Sequence, residues 1–273
     1  MDWWEAAIIG VVEGLTEYLP VSSTAHILLT QRALGIPQTP AADAYAVCVQ
    51  AGAILAVLGI FQDRVRQMVR GLFGLDPKGL RLAINIVIAF LPAAVLGKLF
   101  AETIKTHLFH LKPICWAWFI GGLVILAYAY ATRNRHGAGK GIFELSMTGA
   151  ITIGLMQCLG MIPGTSRSLV TILGGLFVGL SMEAALEFSF LLGLVTLTAA
   201  TVHDGYKYGS AMYAAYDVPT MAIGFVAASL AAGAAVAWML HYLRRHGLAI
   251  FGYYRIALAA VVAILVWKGV VAP

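Results

Sequence analysis

Six long apolar runs dominate the chain, near residues 45–61, 83–100, 114–131, 183–202, 219–240 and 249–271. Each is about the length of helix that crosses a hydrocarbon core, where roughly 20 residues are needed. Two more apolar stretches, 5–34 and 146–180, are broken at their centres. The first is interrupted by Leu19-Pro20-Val21-Ser22-Ser23 and the second by Ile162-Pro163-Gly164-Thr165-Ser166. The pattern predicts an all-α integral membrane protein with six transmembrane helices. The acidic, aromatic start Met1–Glu5 has no small-residue cleavage site after it and does not read as a secretory leader.

Charge decides how the broken stretches sit. More than half of the 18 Lys and Arg residues fall in 62–82 (Arg64, Arg66, Arg70, Lys78, Arg81), 133–141 (Arg133, Arg135, Lys140) and 242–248 (Arg244, Arg245). The connections 32–43, 101–113 and 203–218 hold only Arg32, Lys105, Lys112 and Lys207. Basic loops stay in the cytoplasm, so the first set faces in and the second faces out. Segment 146–180 must then enter and leave on one face, and 5–34 must do the same from the other. Both become re-entrant helix hairpins.

The two stretches also resemble each other. Ile9-Gly10-Val11-Val12-Glu13-Gly14-Leu15 aligns with Ile153-Gly154-Leu155-Met156-Gln157-Cys158-Leu159. After a one-residue gap, Pro20-Val21-Ser22-Ser23 aligns with Pro163-Gly164-Thr165-Ser166. Similar broken helices entering from opposite faces mark an inverted-topology repeat, with the site where the breaks meet. The expected organisation is one polytopic domain, 1–273, with repeats of about 1–130 and about 140–273. Irregular backbone at membrane depth requires a covering of protein or water, which argues for a polar cavity.

Composition agrees. The chain is 60% hydrophobic and 11% charged, with mean hydropathy +0.85, whereas soluble domains are about a quarter charged. The net charge of +5 is distributed by topology rather than gathered on one face, so no nucleic-acid partner is expected. Cys48, Cys115 and Cys158 lie in apolar segments with neither metal spacing nor an even count, and read as free thiols.

The breaks carry the chemistry. Glu13 and Glu17, four residues apart, share one helix face. Ionisable groups at that depth cost a few kcal/mol each, so something offsets them. A hard divalent cation would, since Mg²⁺ or Ca²⁺ takes carboxylate and phosphate oxygens together; the alternatives are one protonated Glu bonded to the other, or both lying in aqueous headgroup space. Thr165, Ser166, Arg167 and Ser168 follow the second break, and the planar Arg fork matches phosphate oxygens. A half-helix opening at Ser166 would add free N–H groups as an anion site. Ser22, Ser23 and Thr24 sit correspondingly in the first hairpin. His26, a turn beyond them, is a candidate general acid or base. Together these groups point to phosphoryl transfer, which depends on positioning and charge neutralisation.

The segments Glu13-Gly-Leu-Thr-Glu17-Tyr-Leu-Pro-Val-Ser22-Ser23-Thr24-Ala-His26 and Pro163-Gly-Thr-Ser166-Arg167-Ser168 resemble the two signatures of the bacterial undecaprenyl-diphosphate phosphatase family, the bacitracin-resistance proteins. The similarity covers the whole chain, including Gln50 and Glu187-Phe-Ser-Phe-Leu-Leu. The resemblance implies a dimeric plasma-membrane enzyme that converts undecaprenyl diphosphate to the monophosphate with Mg²⁺ or Ca²⁺, recycling the carrier for wall polymers. It implies an acidic pair at Glu13 and Glu17, serine and histidine elements at Ser22, Ser23 and His26, and an arginine motif at Ser166, Arg167 and Ser168. A cavity opening outward would suit hydrolysis at the periplasmic face. Ala25 and Leu169 stand where many members carry Gly, and are expected to add bulk beside the phosphate site. A carrier that flips the lipid monophosphate is the alternative, because inverted repeats with half-helices also build transporters.

Overall fold

The computed structural model describes residues 1–132, 139–269 and 271. The basic loop expected at 133–141 therefore has Arg133 and Arg135 outside the described residues. Among the described residues the chain is helical, without strands. Six helices are long and apolar enough to cross a membrane: α3 (Pro40–Ile60), α5 (Pro77–Leu108), α6 (Leu111–Ala131), α9 (Met182–Ala215), α10 (Val218–His246) and α11 (Ala249–Trp267). The protein is a multi-pass membrane protein. Five shorter α-helices accompany them among the described residues: α1 (Trp3–Glu17), α2 (Ser23–Ala33), α7 (Met147–Leu159) and α8 (Arg167–Phe177) in the broken stretches, and amphipathic α4 (Gln62–Leu72) between α3 and α5.

Helix starts follow local chemistry. Thr39, Asp76, Ser146, Ser181 and Asp217 each accept a first-turn backbone N–H, and Pro40, Pro77 and Pro219 occupy the first helical positions. Helix ends depart from the expected loops. Segments 101–113 and 203–218 were expected as connections, but α5 continues to Leu108 and α9 to Ala215. Polar residues such as Asp204 and Lys207 mark where the apolar layer ends, and nothing in them breaks a helix.

The halves cross-pack. α1 lies against α10 and α7 against α5, while α3 pairs with α9 and α6 with α11. Gly10 of α1 and Gly154 of α7 sit at these contacts. A Cβ on Gly10 would fall 2.2 Å from the carbonyl oxygen of Gly224, and one on Gly154 would fall 2.5 Å from that of Ala89. Only glycine lets these backbones touch, as at small-residue interfaces of membrane helices. Exchanging the two halves about a two-fold axis would generate this pairing.

The register needs a correction. The sequence alignment placed a one-residue gap before Pro163, but one constant interval relates Trp3 to Met147, Ser22 to Ser166 and Ala33 to Phe177. Matching prolines had hidden it, because Pro20 corresponds to Gly164. Among the described residues, Ser22 (φ 74°) and Ser166 (φ 77°) are the non-glycine positions with positive φ. Ser23 and Arg167 are therefore structural equivalents.

Candidate active site

Each break frees backbone carbonyls inside the protein, and each must find a donor. The Leu19 carbonyl accepts from the Ser168 hydroxyl at 2.9 Å, and the Val21 carbonyl from the Trp118 indole at 2.8 Å. Arg255, fully buried in α11, donates to the carbonyls of Pro20 (3.1 Å), Ala117 (3.0 Å) and Gly164 (2.7 Å). One guanidinium thereby ties both breaks to each other and to α6. Its sequence context, an apolar span, shows only an ionisable group at a helix interior, which is the signal that could have found it.

Pinned this way, α2 and α8 both open their N-termini on a cavity of about 240 Å³. Glu17, Ser22, Ser23, Thr24, Ser166 and Arg167 line it, joined by Gln50, Thr196 and Asp204. Arg167 Nη2 donates to Glu17 Oε1 at 2.8 Å, and the Ser23 hydroxyl donates to the other oxygen of the same carboxylate. A single chain of contacts thus runs from Ser23 through Glu17 to Arg167. The guanidinium also donates to the Ser189 carbonyl at 3.3 Å and lies 5.5 Å from the Tyr18 ring centre. Gly193 lets it rest on α9, since a Cβ there would fall 2.3 Å from Nη1. Ser189, within the segment that carried the resemblance, further bonds Thr171 at 2.6 Å.

Other expected site residues lie outside the cavity wall. Glu13 is buried behind Glu17, close enough to interact with it and with Arg167. Its Oε1 has no hydrogen-bond partner. Ser168 bridges the breaks, bonding Leu19 and the Ser166 hydroxyl at 2.9 Å, and is fully committed there. Thr165 is not among the lining residues. His26 turns to the far side of α2. Its Nδ1 sits 2.7 Å from the Ser22 carbonyl, which can only accept, so Nδ1 carries the proton and Nε2 accepts from the Tyr254 hydroxyl at 2.7 Å. The ring stacks on Tyr254 and abuts Trp118. On a helix that presents Ser23 to the cavity, the residue three positions on turns away from the Ser22, Ser23 and Thr24 hydroxyls, and its ring meets Trp118 of α6 and the Tyr254 hydroxyl of α11 instead. The bulk expected at Ala25 and Leu169 is corrected likewise, because Ala25 packs with Leu111 and Trp118, and Leu169 with Tyr18 and Ile172. Neither narrows the cavity.

Among the described residues no cluster of three or more His, Cys, Asp or Glu forms. The two carboxylates nevertheless fit a hard cation. Such ions use one or two protein carboxylates and complete their coordination with phosphate and water, and Glu13 keeps an unpartnered oxygen at the pair. The three cysteines are free and half-buried.

The family model described as Bacitracin resistance protein BacA matches residues 6–261. The chain belongs to this bacitracin-resistance family. Undecaprenyl-diphosphatase 2 of Rhodospirillum rubrum is 45% identical over 268 residues, 98% of this chain and 96% of that relative. The undecaprenyl-diphosphatase of Sorangium cellulosum is 44% identical over 264 residues, 96% of this chain and 86% of that relative. Undecaprenyl-diphosphatase 1 of Chromobacterium violaceum is 42% identical over 270 residues, 98% of both.

Proposed function

We propose that this chain hydrolyses undecaprenyl diphosphate to undecaprenyl phosphate and inorganic phosphate. The observation that carries the reading is the Ser23–Glu17–Arg167 chain of contacts at two helix N-termini in one polar cavity. The diphosphate brings strong negative charge. Arg167 and the free N–H groups at the starts of α2 and α8 hold it, the first as a fixed positive fork and the second as dipoles. The Ser23 oxygen attacks the terminal phosphorus while Glu17 takes the hydroxyl proton, and the bond to the bridging oxygen breaks. Undecaprenyl phosphate leaves. Water then cleaves the phosphoserine, with Glu17 returning the proton to Ser23, and inorganic phosphate is released. His26 acts as a brace for the Ser22 turn in this scheme.

Glu13 and Glu17 would hold Mg²⁺ or Ca²⁺, which when bound neutralises diphosphate charge. The basic segment 62–82 and the cavity-lining Phe109 lie at opposite ends of α5. This supports a periplasmic mouth in a bacterial inner membrane. The homodimer rests on the family resemblance alone. The names of the relatives favour hydrolysis over a carrier that flips the monophosphate.

Phosphate release from undecaprenyl diphosphate by purified protein, with and without EDTA, tests the reading. Wild-type release should be lost in Ser23→Ala, and rapid acid quench during wild-type turnover should trap a phosphoserine. Release by Ser23→Ala at the wild-type rate removes the serine from the reaction, and no release from folded wild type favours the carrier.

A further inference from the structure

At the end of the molecule away from the cavity, α4 and the start of α5 form a rigid helical hairpin. Phe61 ends α3 and begins α4, so the hairpin grows straight from two spans. Its backbones touch: a Cβ on Gly71 would fall 2.1 Å from Leu80 N, and one on Gly79 would fall 1.9 Å from the Gln67 carbonyl oxygen. Asp76 caps α5 by accepting from Gly79 N at 2.9 Å, and Gly74 makes the turn at φ 75°. The inner face packs Val65 and Met68 into the core. The outer tip is different. Leu72 is 67% exposed, Phe73 77% and Leu75 67%, with exposed Arg66, Arg70 and Lys78 beside them. Arg64 and Arg81 are committed elsewhere, to Glu187 and to the Leu145 carbonyl.

We propose that this hairpin docks on the anionic headgroup surface of the bilayer, sinking Leu72, Phe73 and Leu75 among the lipids while Arg66, Arg70 and Lys78 meet phosphates. Two features choose lipid as the occupant. The tip stands at the ends of two spans, where the bilayer surface is the nearest partner. Its fixed apolar wedge ringed by cations is the arrangement of interfacial basic segments, which gain from both burial and anionic lipid. A second copy would bring the same positive ring and be repelled. Arg66 has only a loose, exposed contact with Asp63 at 3.8 Å, so its charge is open to headgroups. The inference is independent of the reaction assigned to the cavity.

The test uses full-length protein in vesicles, with Phe73→Cys carrying a fluorophore and Cys48, Cys115 and Cys158 replaced by Ala. Spin-labelled phosphatidylglycerol should quench the probe several-fold more than spin-labelled phosphatidylcholine, and added salt should shrink the difference. In an R66Q/R70Q/K78Q chain the preference should vanish while thermal unfolding in detergent stays at the wild-type temperature, which shows that the variant is folded. No quenching by either lipid, equal quenching by both, or quenching that falls as protein density rises (a second copy on the tip) overturns the proposal.

Discussion

At the first break Ser22 turns the chain at φ 74° and the next helix begins with Ser23; at the second, Ser166 does so at φ 77° and the next helix begins with Arg167. The backbone frame is repeated, and the side chains on it are divided between two tasks. One half-helix presents a hydroxyl beside a carboxylate, the other a permanent cation. The half-helix ahead of each break differs in the same sense, since Glu13 corresponds to Gln157. Both are buried, but Gln157 spends its amide on the Ala89 carbonyl at 3.3 Å and accepts from Thr196 at 3.2 Å. Two alike turns bring two helix N-termini to one cavity, with a carboxylate and a hydroxyl on one side and a permanent cation on the other.

The largest test of that division removes the cation. Arg167→Ala leaves the repeated frame intact while deleting the positive half of the pair. Losing one preorganised group that meets developing charge costs about 10²–10³-fold in turnover, so phosphate release should fall by at least that much while thermal unfolding in detergent stays measurable. Near wild-type release would break the comparison. Glu17→Gln should fall by a similar factor, since it removes the contact shared by Ser23 and Arg167.

Much of this was legible in the chain. The spans follow from hydropathy, the breaks from Pro and Gly, and the acid pair and Arg167 from charges too expensive to bury without purpose. What escaped was direction. Four-residue spacing puts Glu13 and Glu17 on one face, yet only tertiary packing decides that Glu17 meets the cavity and Glu13 lies behind it. His26 is a turn from Ser23, and the turn carries it to Tyr254. The match of Ser22 with Ser166 was hidden because φ, rather than residue type, is what the two breaks share. Arg255 drew no reading from the sequence, because the carbonyls it serves come together only when both breaks are folded.

Arg255 gives the next effect in size. It holds the two breaks in register through three backbone acceptors, and at about 1 kcal/mol per bond in a membrane setting Arg255→Met should destabilise by roughly 3 kcal/mol. Thermal unfolding reads this directly. Because the loss would act on both breaks together, Ser23 labelling by a phosphonate should weaken in parallel. Unchanged stability would mean that the breaks are held by their own strain and caps. A smaller, sharper probe is Gly193→Ala, whose added carbon meets the Arg167 guanidinium first. About a tenfold rise in KM, near 1.4 kcal/mol, is expected. Gly209→Ala in the same helix, where the added carbon meets nothing within 4 Å, should be silent. Equal effects from both would trace the loss to α9 itself.

The smallest prediction asks whether the twin serines are equivalent in energy as well as in shape. Both sit at positive φ, where an L side chain costs about 1 kcal/mol and glycine costs nothing sterically. Ser22 makes no side-chain cap bond, so Ser22→Gly trades relieved strain against chain entropy and should leave stability nearly unchanged. Ser166 accepts from Leu169 N at 3.3 Å and pairs with the Ser168 hydroxyl at 2.9 Å. Ser166→Gly forfeits both and should be less stable than Ser22→Gly by about 1 kcal/mol. Thermal unfolding of the two variants side by side decides it. A difference of the opposite sign would place the greater strain at the arginine's break, and would make the cation, rather than the Ser23 hydroxyl, the group for which the frame is held under load.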